Sequence, residues 1–530
     1  MITRRSLIAR TVATAAATIA APRLAASQSA RVLKFVPQAD LALLDPIQST
    51  GLVIRHHALL VFDTLYGVDE QLRPQPQMAQ GHVVENGGLV WRITLRDGLR
   101  FHDGERVLAR DCVASIKRWG ARDTYGLSLM AMVEEITAPT DTEIRFRLKR
   151  PFPLLPDVLG KPGTNVCVMM PERLAQTDPM QRITEMVGSG PFRFLANDRI
   201  PGSLNAYERF AGYVPQSGGE PSFMAGPKVA HFDRVEWRTI PDAATAAAAL
   251  QTGEIDWWEQ PISDLIPTLK ANRALKVEVL DRFGAVAMIR FNHLQPPFDR
   301  PEMRRALLGA IMQNEYMMAV AGEDRSYWTD GVGFFAPGSP MANSAGMEVL
   351  PKTPDIARVK EALKAAGYAG ERIVFPVPTD FPALNAMSEV SGDMMRHAGI
   401  NLDYQAQDWG AVLQKVASQQ PIDRGGWNLW CNYSTGISAV NPAAHTYLRG
   451  PGRGGTFGWP TSPELEHMRA DWFEAPDEAS RVEICKRMQV QAFQDLPYIP
   501  LGVFYQPTAY KRSLTGVLKG FPLFYNVRRA

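Results

Sequence analysis

Residues 90–119 read VWRITLRDGLRFHDGERVLARDCVASIKRW, and their pattern changes twice within thirty positions. Trp91, Ile93 and Leu95 alternate with Arg92, Thr94 and Arg96, the period-2 mark of a half-buried strand. Asp97-Gly98 and Asp103-Gly104 are turn dipeptides. After Leu108 the spacing becomes helical, with Cys112, Val113, Ile116 and Trp119 on one face. Asp111 stands where a carboxylate reaches back to the free N–H groups of the first turn. The segment is therefore a strand, two turns and a helix.

As a string, TLRDGLRFHDGERVLARDCVASIKRW resembles the signature of the family 5 extracellular solute-binding proteins of ABC importers, the dipeptide, oligopeptide and nickel binders. Leu108 replaces a helix-capping Thr and Cys112 a Val, both local changes. Further matches follow in the family's order. They are Leu44-Asp45-Pro46, Val61-Phe62-Asp63-Thr64-Leu65-Tyr66, the run from Arg73 to Ala79, Gly188-Ser189-Gly190-Pro191-Phe192, AATAAAALQTGEID at 243–256, and Leu496-Pro497-Tyr498-Ile499-Pro500-Leu501.

The resemblance implies an α/β fold of the large two-lobe periplasmic-binding-protein type, with an extra subdomain and two crossover hinge strands. Lobe I would hold 31–284 plus 505–530, with the inserted subdomain at about 75–195. Lobe II would hold 292–496, and the hinges 285–291 and 499–504. It also implies capture of a small solute, peptide or peptide-like by default, and delivery to an ABC permease driven by its ATPase. A monomer without cofactor is expected.

Composition agrees with this class. A chain of 530 residues exceeds one ordinary core. Its 45% hydrophobic and 21% charged content is that of a globular protein. The net charge of +2 becomes −2 once Arg4, Arg5, Arg10 and Arg23 of the acid-free first 30 residues are set aside, so a nucleic-acid partner is not expected. Residues 1–30 read as an export signal. Thr3-Arg4-Arg5-Ser6-Leu7-Ile8 resembles the twin-arginine motif, a short Ala/Thr-rich run follows, and small residues precede position 31. Paired arginines before the apolar run favour bacterial export over a mitochondrial presequence, and the run is too short to span a bilayer. The expected address is the periplasm of a Gram-negative bacterium. Cys112, Cys167, Cys431 and Cys485 form no C-x-x-C pair, so no zinc or redox motif is read, and any disulfide pairing stays open.

Strands are expected at Val32–Val36, Glu143–Leu148 and Ala285–Phe291. Helices are expected at 243–252 behind an Asp242 cap, at 301–320, at 355–367 and at 481–496. The His56-His57 pair lacks a helical i,i+4 partner and reads as a surface or core feature. No catalytic or metal-binding residue is expected, because the chain has no P-loop, G-x-S-x-G, H-E-x-x-H or dinucleotide fingerprint.

Candidate ligand contacts cluster at 427–433, WNLWCNY: Trp427, Trp430, Asn432 and Tyr433. Family 5 proteins line their cleft with a Trp-rich segment here, and dipeptide binders follow it with an Asp for the ligand amine. This chain has no Asp or Glu from Arg424 through Pro463, which favours a neutral or anionic ligand stacked on the indoles. Core packing is the competing reading for both indoles. Phe381 and Thr50 are the remaining candidates, one from each lobe. Two other function classes use the same cleft: an exported hydrolase or transferase, and a periplasmic chaperone-like polypeptide binder.

Overall fold

The computed structural model describes residues 31–530. The expected export signal at 1–30 lies outside the described residues. Two sheets organise the chain. The first has seven strands in the order Phe192–Phe194, Leu204–Arg209, Arg234–Arg238, Val32–Val36, Trp257–Trp258, Pro507–Lys511 and Leu275–Val279. Val32–Val36 lies in the middle, parallel to both neighbours. Its Phe35 is fully buried against Trp237, Trp257 and Phe524. The helix Ala243–Thr252 joins two of these strands. Asp242 accepts from Thr245 N at 2.7 Å, and Gly253 ends the helix at φ 83°, where a side chain would be strained.

The segment at 90–119 lies at the centre of a smaller body. Its strand Val90–Leu95 is an inner member of a four-stranded antiparallel sheet with Ala79–Glu85, Glu143–Leu148 and Val133–Thr137. The helix Ala109–Gly120 follows, with Cys112, Ile116 and Trp119 buried. Asp111 accepts from Leu108 N at 2.8 Å, as its position suggested, and its other oxygen accepts from Glu172 N at 2.8 Å. His102 is structural: Nε2 donates to Gly190 O at 3.0 Å and Nδ1 accepts from Gly188 N at 3.3 Å. Burial pushes its pKa down to about 4.

The second sheet has the order Trp328–Thr329, Tyr498–Phe504, Ala285–Phe291 and Leu429–Thr435. The chain enters it along Ala285–Phe291, directly after the first sheet's Leu275–Val279. It leaves along Tyr498–Phe504, directly before the first sheet's Pro507–Lys511. These two crossing strands pair with each other, antiparallel, and all their residues are buried. Arg290, on the first of them, is fully buried with no carboxylate partner among the described residues. Its guanidinium donates to the carbonyls of Phe457, Tyr447 and Pro497 and to Thr456 Oγ1, which ties the 447–457 loop to the crossing strand. A parallel pair, Ile373–Pro378 and Leu402–Gln407, completes the second lobe, with the helix Pro382–His397 between them in sequence.

One helix differs from expectation. Residues 301–320 form two pieces, Pro301–Ala306 and Gln313–Ala321, split by a 3-10 turn at Leu307–Ala310 and extended backbone at Met312. Tertiary contacts override the helical spacing here. Gly309 backs onto the helix Ile356–Ala365, where a Cβ would meet Val359 at 3.2 Å. Gln313 turns inward to bridge Val332 and Pro500. The four cysteines are buried and unpaired. No helix among the described residues is long and apolar enough to cross a membrane.

Candidate ligand-binding cleft

Three cavities run along the junction of the two lobes. The innermost, of about 90 Å³, sits beside the crossing strands. The first lobe supplies Arg55, Glu259, Asp281 and Phe521 to it, and the second supplies Tyr433 and Thr435. A chamber of about 280 Å³ opens between the small antiparallel body and the 437–456 loop, lined by Thr50, Asp123, Asp157, Lys161, Ser438 and Asn441. The hydrogen bond between Thr435 Oγ1 and Ser438 Oγ, 2.9 Å, marks the wall between these two. A third, of about 680 Å³, lies on the far side of Tyr433 and is lined by Lys270, Tyr327, Phe381 and Tyr505.

The charged groups of the innermost cavity come from three separated segments. Arg55 and His56 lie on the helix Leu52–Val61, whose residues from Val53 onward are buried. Glu259 follows the strand Trp257–Trp258, and Asp281 follows Leu275–Val279. Arg55 stacks on the Phe521 ring at 3.6 Å and donates from Nη2 to His56 Nε2 at 3.1 Å. His56 therefore carries its proton on Nδ1, which lies 3.5 Å from Glu259 Oε1. Arg55 Nε and Nη1 find no acceptor among the described residues. Desolvation lowers the Arg55 pKa to about 10, against the pull of Asp281 and Glu259. Burial, with the nearby Arg55 charge, holds His56 neutral. Burial raises Glu259 from 4.5 to about 7, although Gln38 N donates to it at 2.8 Å, and raises Asp281 as well.

The raised Glu259 carboxyl makes stability depend on pH. Its proton is held more tightly in the folded protein than in the unfolded chain. The stability it contributes is complete below pH 4.5 and is lost as pH rises through about 7. Glu259→Gln is therefore expected to raise the melting temperature relative to wild type at pH 7.5 and to leave the difference near zero at pH 4.5. Thermal unfolding at the two pH values measures this, and equal differences at both would show that Glu259 does not titrate in between.

The six sequence candidates separate. Tyr433 lines the innermost and the third cavities, Phe381 the third and Thr50 the second. Phe381 and Tyr433 lie 6.0 Å apart, and Tyr433 meets Phe504 edge-on at 5.2 Å. Asn432 is buried and donates to Tyr447 OH at 3.0 Å. Trp427 and Trp430 sit in the interior of the second lobe with Val374, Val412 and Trp459, and neither borders these cavities. Strand alternation sends Trp430 and Asn432 to the side opposite Tyr433. The basic residues of this stretch are engaged elsewhere: Arg449 with Glu466, His445 with Phe334 O and Tyr498 OH.

The acid-free span at 424–463 thus leaves the cleft with carboxyl groups, because lobe I supplies them. Sequence reasoning did not single out Arg55, Glu259 or Asp281. Of the three, only Glu259 stands beside a conspicuous sequence feature, the aromatic pair Trp257-Trp258.

The model of the bacterial extracellular solute-binding proteins, family 5 Middle, matches residues 73–455. The chain belongs to this family. Within family 5, the chain is 33% identical over 535 residues, the whole of both chains, to the probable peptide ABC transporter periplasmic-binding protein y4tO of Sinorhizobium fredii. It is 26% identical to the glutathione-binding protein GsiB of Pectobacterium atrosepticum, across 97% of this chain and 96% of that one. Among solved structures, AgaA in complex with agropinic acid aligns with a TM-score of 0.78 at 18% identity, over 94% of this chain and 99% of that one. A dipeptide binding protein in complex with Met-Leu aligns at 0.77 and 18%, over 94% and 100%. These structural likenesses carry the two-lobe α/β fold of the solute-binding family. The relatives are named as binding proteins, and y4tO as that of a probable peptide ABC transporter.

Proposed function

We propose that this family 5 protein is the periplasmic substrate-binding component of an ABC importer. It captures a peptide or peptide-like solute between its lobes, as a monomer, and hands it to a membrane permease coupled to an ATPase. The observation that carries the reading is the innermost cavity, whose walls come from both lobes and from the crossing strands. A ligand there makes contacts that exist only when the lobes are together, and such contacts are what couple binding to closure. The names of the relatives supply the transport context and the peptide class. Export of a twin-arginine type to a Gram-negative periplasm belongs to the same reading. Tyr433, Phe381 and Thr50 are the ligand contacts it assigns.

The test is a thermal-shift screen of di- and oligopeptides, glutathione, opines and oligosaccharides against wild type and Tyr433→Ala. A ligand at one hundred times its dissociation constant adds about 2.7 kcal/mol, a readily seen shift. Stabilisation by a peptide-like solute, weakened in Tyr433→Ala, is the expected result. Stabilisation equal in both proteins would remove the ligand from the cleft.

A further inference from the structure

The innermost cavity holds a cation and two carboxyl groups that do not pair with one another. Arg55 is 4% exposed, yet two of its three nitrogens have no acceptor among the described residues. Glu259 is 5% exposed and has one oxygen taken by Gln38 N, while the nearest donor to the other is the 3.5 Å His56 Nδ1. A buried charge without a partner is costly, and the cost falls when a complementary group arrives. One imidazole separates the unfilled guanidinium from the unfilled carboxyl, since His56 touches both.

We infer that the 90 Å³ cavity is a head-group subsite for a ligand bearing a carboxylate and an ammonium on one carbon. Arg55 takes the carboxylate, and Glu259, backed by Asp281, takes the ammonium. The site accepts both signs at once because its own charges stand apart instead of cancelling. A carboxylate alone would satisfy Arg55 but set a further negative charge beside Glu259 and Asp281. An amine alone would leave Arg55 unfilled. The small volume suits the head group, and the larger chambers beyond Tyr433 and Ser438 leave room for the rest of the molecule. The assignment rests on the interlobe cleft being the ligand site, and it places the charge recognition on lobe I.

The test uses wild-type protein and a ligand series: L-glutamine, γ-glutamylglycine, its α-amide, its N-acetyl derivative, and ordinary dipeptides. Titration calorimetry in two buffers of different ionisation enthalpy counts protons at pH 7. The unmodified head group is expected to bind, with at least tenfold losses for the amide and for the N-acetyl form. Binding should release protons, because an ammonium beside the half-protonated Glu259 lowers its pKa. Arg55→Leu should abolish the preference for acid over amide, and Glu259→Gln the preference for amine over N-acetyl. The wild-type series stands without either variant should one fail to fold. Equal binding of all derivatives, or proton uptake, would overturn the head-group assignment while leaving the cleft in place if Tyr433→Ala still weakens binding. Failure of L-glutamine and of every γ-glutamyl compound, with ordinary dipeptides binding in a Tyr433-dependent way, would overturn the head group alone. No binding by any compound in this series or in the screen above would overturn both readings.

Discussion

Arg118→Met is expected to destabilise the protein by about 3–5 kcal/mol, the range for breaking a buried ion pair from one side. Arg118 lies on the helix of the 90–119 segment and Asp45 in the turn after the first strand. Their side chains are 2% and 1% exposed. Nη1 donates to Asp45 Oδ1 at 3.1 Å and Nη2 to Oδ2 at 2.8 Å, a two-point contact. The remaining valences are filled as well. Ile47 N and Ile183 N donate to Asp45, and Arg118 donates to the carbonyls of Thr177 and Gln181. Methionine fills much of the volume but leaves Asp45 charged, buried and short of two donors. The Asp45→Asn, Arg118→Met double variant should lose less than the sum of the single losses, since it removes the stranded charge. Urea unfolding of the four proteins measures the cycle. A loss under about 1 kcal/mol for Arg118→Met would mean that water reaches the pair and that it contributes as a surface contact does.

Phe473→Ala is expected to act on ligand affinity as well as stability. Phe473 lies on the lobe II helix Pro463–Glu474, is 3% exposed, and packs against Tyr125 at 5.8 Å and against Phe152 at 5.9 Å, the latter ring inclined at 30°. Both partners belong to the antiparallel body on the lobe I side. Arg469 lies over the same ring at 4.8 Å and donates to Ser128 Oγ, and Arg150 pairs with Glu474. These contacts join the lobes away from the crossing strands, and parting of the lobes is expected to break them. Truncating a buried Phe costs about 3–5 kcal/mol. Each 1.4 kcal/mol of it that falls on the closed state alone weakens apparent affinity about tenfold. Affinity is therefore expected to fall by ten- to a hundredfold in calorimetry, with a larger radius of gyration in solution scattering. Phe375→Ala, a cut inside lobe II where Phe375 packs on Tyr404, should lower the melting temperature and leave affinity nearly unchanged. Equal affinity in wild type and Phe473→Ala would show that the contact persists in the open form.

The elements legible in the sequence were those whose cause is local. The strand Glu143–Leu148 follows from alternation, the strands Val32–Val36 and Ala285–Phe291 from short runs rich in apolar residues, and the helix after Asp242 from a cap and an Ala run. The helix expected at 301–320 fails because Gly309 and Gln313 answer to distant neighbours, which spacing does not record. The site was less legible for the same reason. Trp427, Trp430 and Tyr433 read alike as cleft aromatics, but only the face and end of the strand decide which one meets the lobe junction, and that falls to Tyr433. Arg55, Glu259 and Asp281 carry no motif. They become a group only when three first-lobe segments converge beside the crossing strands.

The central claim is that a peptide-like solute is held between the lobes at the crossing strands. A crystal structure of the protein with its tightest ligand from the screens tests it most directly. The account predicts ligand density in the cavity beside Tyr433, with a carboxylate on Arg55 and atoms in contact with both lobes. A ligand seated elsewhere, or touching one lobe only, would contradict it.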